Sequence, residues 1–238
     1  MRIVALLLAF FAFADAAQAQ VFSGPTERRF SVRDYDRVRV DGGLSVKLVT
    51  GLPPYAIARG HAVDLDGLTL TVNGRTLVVR QSAANAKRPI NQAQPVTIEI
   101  GTREVSEVWV NGSGSLHLDR AGGLKFGASV QGSGSLVIDT VEADNFELLL
   151  AGAASARMAG TVEEGTFVVR GLSILQAPRL GVEQLTLGID GPGTAELGPV
   201  EIAEIDMVGA GSATLGGDPA CTTRLLGSPS LSGCRIAR

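Results

Sequence analysis

The chain has 238 residues, 21 Lys+Arg against 24 Asp+Glu for a formal charge of −3, and 30 glycines, nearly twice the usual share. A mildly acidic chain lacks the basic footprint that nucleic-acid binding requires. Two histidines and two cysteines leave too few soft ligands for a Cys/His zinc site.

Residues 1–19 read as a secretory signal peptide. Arg2 supplies a positive charge, and Ile3 to Ala14 is an apolar run too short for a membrane span. Ala17-Gln18-Ala19 then gives the small-x-small cleavage pattern. The mature chain is expected to begin near Gln20 and to be exported, to the periplasm or the cell surface. Residues 20–238 are predicted to form one domain, with a β-rich capping part over 20–100 and seven coils over 101–238. In the capping part, Val38, Val40, Val46 and Leu48 alternate as inward positions around the bend at Gly42. Leu68–Val72 and Leu77–Arg80 flank Asn73-Gly74 and predict a hairpin with a type I′ turn. Gln81 to Pro95 is polar and aperiodic, which predicts a loop, and Val96 to Ile100 resumes a strand.

From there a repeat organises the chain. GSGSL stands at 112–116 and again at 132–136, followed by GAASA, GLSIL, GPGTA, GAGSA and GSPSL. The leading residues are Gly112, Gly132, Gly152, Gly171, Gly191, Gly209 and Gly227, and GGLSV at Gly42 is an outlying copy. Apolar residues alternate with period two on both flanks of each glycine, from Val108/Val110 and Leu116/Leu118 to Leu225 and Leu231. That pattern marks strands with one buried face, and the glycine marks a bend between them. A unit this small cannot bury its own apolar face, but a stack of them can, so the chain is predicted to be an all-β solenoid of 18–20-residue coils. An antiparallel sandwich is the rival, disfavoured because residue type repeats along with polarity. Cys221 and Cys234 close the last copy. In an oxidising compartment they are expected to form a disulfide stabilising by about 3 kcal/mol.

The outward positions carry the candidate chemistry. Five residues after each glycine and three before it, the outward positions place no two acids in adjacent coils, and no outward column is expected to stack them. Clustered carboxylates for catalysis are therefore not expected, and no catalytic, cofactor or metal residue is assigned. Asp119 and Asp139 recur in neighbouring coils as solvated turn aspartates, with a shared cation as the alternative. His117, beside Asp119, reads as a surface histidine. The Ser115, Ser135, Ser155, Thr194, Ser212 and Ser230 column is expected to bond neighbouring backbone at the bend, or to offer a polar strip to carbohydrate or peptide. Leu149, Val168, Leu172 and Ile174 form a candidate apolar interaction patch, for a partner or a second copy, unless the 81–95 loop covers it.

The strand FSVRDYDRVRVDGGLSVKL at 30–48, with VNGSGSLHLD at 110–119, VQGSGSLVID at 130–139 and VGAGSATLGGDPACTTRLLGSPSLSG at 208–233, is similar to the auto-transporter adhesin head GIN domain family. The resemblance implies a right-handed parallel β-helix-like fold, an envelope or extracellular setting and no catalytic residues. Gly152-Ala-Ala and Gly171-Leu-Ser-Ile depart from the family's Gly-Ser-Gly form. The function expected is non-catalytic binding or scaffolding towards a glycan, an envelope polymer or a protein. The alternatives are a polysaccharide-active β-helix enzyme and a self-assembling envelope component.

Overall fold

The computed structural model describes residues 26–82 and 96–236. The predicted signal peptide lies outside these residues. So does the predicted loop, except that Gln81 closes a strand and Ser82 follows it.

The described strands form one sheet wound around a continuous apolar interior, a β-solenoid of about six turns. Its layers do not follow chain order. Strands β2 (Arg37–Asp41) and β3 (Ser45–Val49) make the first coil, around the bend at Gly42. The chain then crosses β4 (Tyr55–Gly60), α1 (Ala62–Asp66) and β5 (Leu68–Asn73). It next lays β6 (Thr76–Gln81) parallel to β2 and β7 (Thr97–Gly101) parallel to β3. Only afterwards do β8 (Glu107–Gly112) and β9 (Ser115–Gly132) stack on the opposite side of that same first coil. The outlying copy is therefore the immediate neighbour of the Gly112 copy: Ser113 N–H donates to Gly42 O at 3.2 Å and Ser115 N–H to Leu44 O at 2.9 Å.

The outer layer is closed by antiparallel pairing. β4 pairs with β7, β5 with β6, and β1 (Thr26–Phe30) with β4. Glu27, Arg28 and Arg29 on β1 put charge on that edge, which discourages pairing with another chain. The β5–β6 hairpin forms as predicted, but its turn differs. Asn73 pairs with Thr76, so Gly74 and Arg75 are the central residues, and of these only Gly74 has positive φ. A type I′ turn needs both; glycine at the first position is the type II′ requirement.

Beyond β9 the coils follow in order: β10 (Ser135–Gly152), β11 (Ser155–Gly171), β12 (Ile174–Asp190) and β13 (Thr194–Gly209). A last, partial coil holds β14 (Ser212–Gly216), β15 (Ala220–Gly227), β16 (Ser230–Ser232) and β17 (Arg235–Ile236). Within a full coil the inward-outward alternation breaks twice besides the glycine bend, so each coil has three sides. In β10 these are 146–150 before the bend, 135–138 after the preceding bend, and a short third side at 141–143.

The predicted inward residues are buried from Val108 to Leu215, all at 5% exposure or less. Phe126, Phe146 and Phe167 stack through three coils, with ring centroids 5.4 and 5.3 Å apart. Phe167 sits two residues late relative to Phe146; Gly165 occupies the in-register place and leaves room for its ring. Glycine at the bends answers to stacking as well as to φ. At Gly132, φ is +111° and a Cβ would stand 2.5 Å from Gly112 O. The departures at Gly152 and Gly171 keep the bend, at φ +100° and +72°. In the latter, buried Ser173 accepts from Ala154 N–H and donates to Arg170 O. Only the last copy fails the inward pattern: Leu225 is 42% exposed because no further described coil covers it. The Cys221–Cys234 disulfide ties β15 to the segment before β17.

Candidate functional site

The second side, after each bend, separates the residues grouped on it from sequence. His117 Nε2 lies 2.9 Å from Asp139 Oδ1 of the next coil, away from Asp119. Asp119 instead accepts from Thr50 N–H at 3.0 Å, Thr50 Oγ1 at 3.2 Å and Arg120 N–H at 2.8 Å. The two aspartates are in neighbouring coils but turned to different partners, an arrangement that does not converge on a shared cation. The bonds across the bend come from backbone amides, such as Ser135 N–H to Gly114 O at 2.9 Å. Of that column's hydroxyls, only that of Ser115 is bonded among the described residues, to Ser45 Oγ at 3.1 Å.

The candidate apolar patch is divided by the bend. Leu149 and Val168 are in register on the first side and half-buried. Leu172 at the apex and Ile174 on the second side are 67% and 43% exposed. The loop proposed to cover them lies outside the described residues.

The third side carries an outward column of acids. Ala143 pairs with Val162, Val162 with Val182, and Val182 with Val200. The residues that follow them, Asp144, Glu163, Glu183 and Glu201, therefore stand one per coil along a single corner. This corrects the expectation that no outward column stacks acids in adjacent coils. Parallel strands repeat at about 4.8 Å, so each carboxylate has like-charged neighbours at that step. The four rim an open furrow of about 620 Å³, which Glu142, Thr161, Gly181 and Pro199 also line. Among the described residues none of the four has an ion pair or side-chain hydrogen bond, whereas Glu142 is paired with Arg120 at 3.6 Å. The furrow belongs to an acidic half: residues 126–238 hold 13 Asp+Glu and 6 Lys+Arg, residues 1–125 hold 11 and 15.

The signal was in the sequence at another offset. Counted forward from the preceding glycine, the acids fall at 12, 11, 12 and 10 residues; counted back from the following glycine, each falls at eight. Coil length varies where the second side turns into the third, so only the backward count stays in register.

A family profile described as "Putative auto-transporter adhesin, head GIN domain" matches residues 34–219. The chain belongs to that family. No curated protein matches it. Among solved structures, a putative adhesin from Bacteroides fragilis superposes with a TM-score of 0.77 at 14% identity, over 87% of this chain and 95% of that one. A putative lipid binding protein from Parabacteroides distasonis gives 0.70 at 20% identity, over 90% and 98%. A putative adhesin from Parabacteroides merdae gives 0.71 at 15% identity, over 90% and 98%. At such identities the likeness establishes the shared solenoid of the head GIN domain. The names attached to the family and to these neighbours describe adhesion or lipid binding; none is that of an enzyme.

Proposed function

We propose that this head GIN domain is a non-catalytic, exported envelope module that holds an extended cationic partner across its coils. The observation that carries this reading is the furrow on the third side, with four carboxylates at coil spacing and no counter-charge of their own. A row of similar acids on one solvent-facing corner suits binding better than turnover. Among the described residues, the furrow's lining holds no histidine, lysine or cysteine to partner them. The ligand class is a basic polypeptide segment or an envelope polymer bearing repeated ammonium groups. The Cys221–Cys234 disulfide is consistent with an oxidising, exported setting.

Fluorescence anisotropy of a labelled nona-lysine peptide against the mature protein tests the reading. Saturable binding is expected, weakening severalfold between 50 and 300 mM salt as the charges are screened. The double variant Glu163→Gln/Glu183→Gln should lose most of it while unfolding like the parent, because neither side chain bonds to the fold. Equal binding by parent and variant would sink the proposal.

A further inference from the structure

The first side holds the chain's single tryptophan, Trp109 of β8. It points outward, in register with Arg39 of β2 on one side and Ser129 of β9 on the other. Two depressions meet at it. One, of about 380 Å³, lies towards Arg39 and Thr76 and is bordered by Asn111 and Gln131. The other, of about 360 Å³, lies towards Leu149, Val168 and Arg170.

The shape follows from the column of residues. Between Trp109 and Leu149 the intervening coil presents Ser129, with Gly127 before it and Gln131 after it, so its surface is recessed at the serine. Trp109 and Leu149 stand two coil steps apart, about 9–10 Å. The depression of about 360 Å³, lined by Trp109, Ser129 and Leu149, is of a size to take one saturated six-membered ring. The polar rim is already oriented. Gln131 Nε2 donates to Ser129 Oγ at 3.2 Å, and Asn111 Nδ2 donates to Asp41 Oδ1 at 2.8 Å. Both amides keep an oxygen and a second N–H for a ligand. The charges around the cleft are mixed: Glu107 lies 3.9 Å from Arg37, Glu147 lies 2.7 Å from Lys125, and Arg39 and Arg170 mark the two ends.

An apolar ring face, oriented amides and hydroxyls, and no dominant charge are the features of a site for a neutral sugar. We infer that this cleft is a glycan subsite, in which a pyranose stacks its C–H face on Trp109 and hydrogen-bonds through Gln131 and Ser129. A lipid chain fits less well. It would need a continuous apolar channel, and here the apolar column is broken by Ser129 and ends at Gly188. The subsite lies on a different side from the acidic furrow and is read by a different signal, so either proposal can fail alone.

Because the chain has one tryptophan, its emission reports on this cleft. Titration with cellotriose, chitotriose and maltotriose should produce a saturable change with at least one of them. Gln131→Ala and Leu149→Ala should each weaken that binding about tenfold. Calorimetry should detect no binding to Trp109→Ala and weakened binding to Trp109→Phe, with circular dichroism confirming that both remain folded. The assignment is overturned by a flat titration with all three sugars, or by affinity unchanged in Gln131→Ala and Leu149→Ala. A response to phosphatidylglycerol vesicles and to no sugar would overturn it in favour of a lipid.

Discussion

Alanine placed at two bend glycines separates the backbone's demand for glycine from the stack's demand. Gly42 and Gly132 have φ of +99° and +111°, so an alanine at either meets similar backbone strain, about 1–3 kcal/mol. Their surroundings differ. A Cβ at Gly42 would have nothing within 4 Å, whereas one at Gly132 would stand 2.5 Å from Gly112 O. The second coil would have to move by about half an ångström to reach even a tight contact. Forcing a group into filled space costs about 1–3 kcal/mol. The shift also strains the 2.9 Å bond from Ser133 N–H to Gly112 O, worth about 1 kcal/mol. Any gain from a stiffer unfolded chain is common to both variants and cancels. Gly132→Ala should therefore lower stability by about 2–4 kcal/mol more than Gly42→Ala. Gly191→Ala should fall between them, since its nearest atom would be 3.4 Å away. Urea unfolding followed by circular dichroism, with the slopes compared first, measures the difference. Equal costs at Gly42 and Gly132 would refute the stacking account and leave φ alone as the reason for the repeat.

Phe146→Ala should cost about 3–5 kcal/mol and more than Phe126→Ala, because the middle ring loses two aromatic neighbours and the outer ring one; a reversed order in urea unfolding would contradict the packing. Tyr35 is buried and its hydroxyl donates to Gly101 O at 2.6 Å, so burial, with the nearby Tyr55 adding to it, pushes its ionisation well above the ordinary 10.0. Below about pH 10 both folded and unfolded chains keep that proton; above it the unfolded chain loses it first, so stability falls as pH rises. Tyr35→Phe should be less stable at pH 8 but show a shallower alkaline decline, and parallel declines would exclude the contribution. Reducing the Cys221–Cys234 disulfide should remove about 3 kcal/mol from the closing coil. Trypsin should then cut at Arg224 and Arg235 before any site in β9–β13, and uniform digestion would show that the coils unfold together.

What could be read from sequence depended on distance from the glycine bends. The first and second sides keep a fixed phase to the glycine between them, so the two inward residues on each flank of a glycine were legible from Val108 to Leu215, whereas inward residues further off, such as Phe146 and Val162, were not. The layer order was not. Gly42 and Gly112 are seventy residues apart, and nothing local says that β6 and β7 are laid on the far side of the first coil before the chain returns. The division of the apolar patch by a bend, and the turning of His117 to Asp139 across coils, also depend on side-chain direction in three dimensions.

The acidic corner was missed for a different reason, and that reason bears on how such surfaces arise. Coils of this stack differ by one or two residues, and the difference falls where the second side turns into the third. The inward residues on either side of that turn must still meet their neighbours, so the sheet takes up the slip as register shifts, at Ile138/Val141, Arg157/Ala159 and Ala177/Val182. Past the turn the ladder is regular again up to the next glycine. Asp144, Glu163, Glu183 and Glu201 lie just past it and inherit the regular spacing from the bend ahead of them. Alignment of the four charges thus follows from the same constraint that holds the bend glycines in line. Deleting one further residue before Glu183 should leave the corner aligned, because the shift would be absorbed upstream. Deleting one between Glu183 and Gly191 should move that carboxylate to the other face of its strand and weaken polycation binding. Anisotropy on the two deletion variants separates these outcomes, and equal loss in both would show that the corner has no such anchoring.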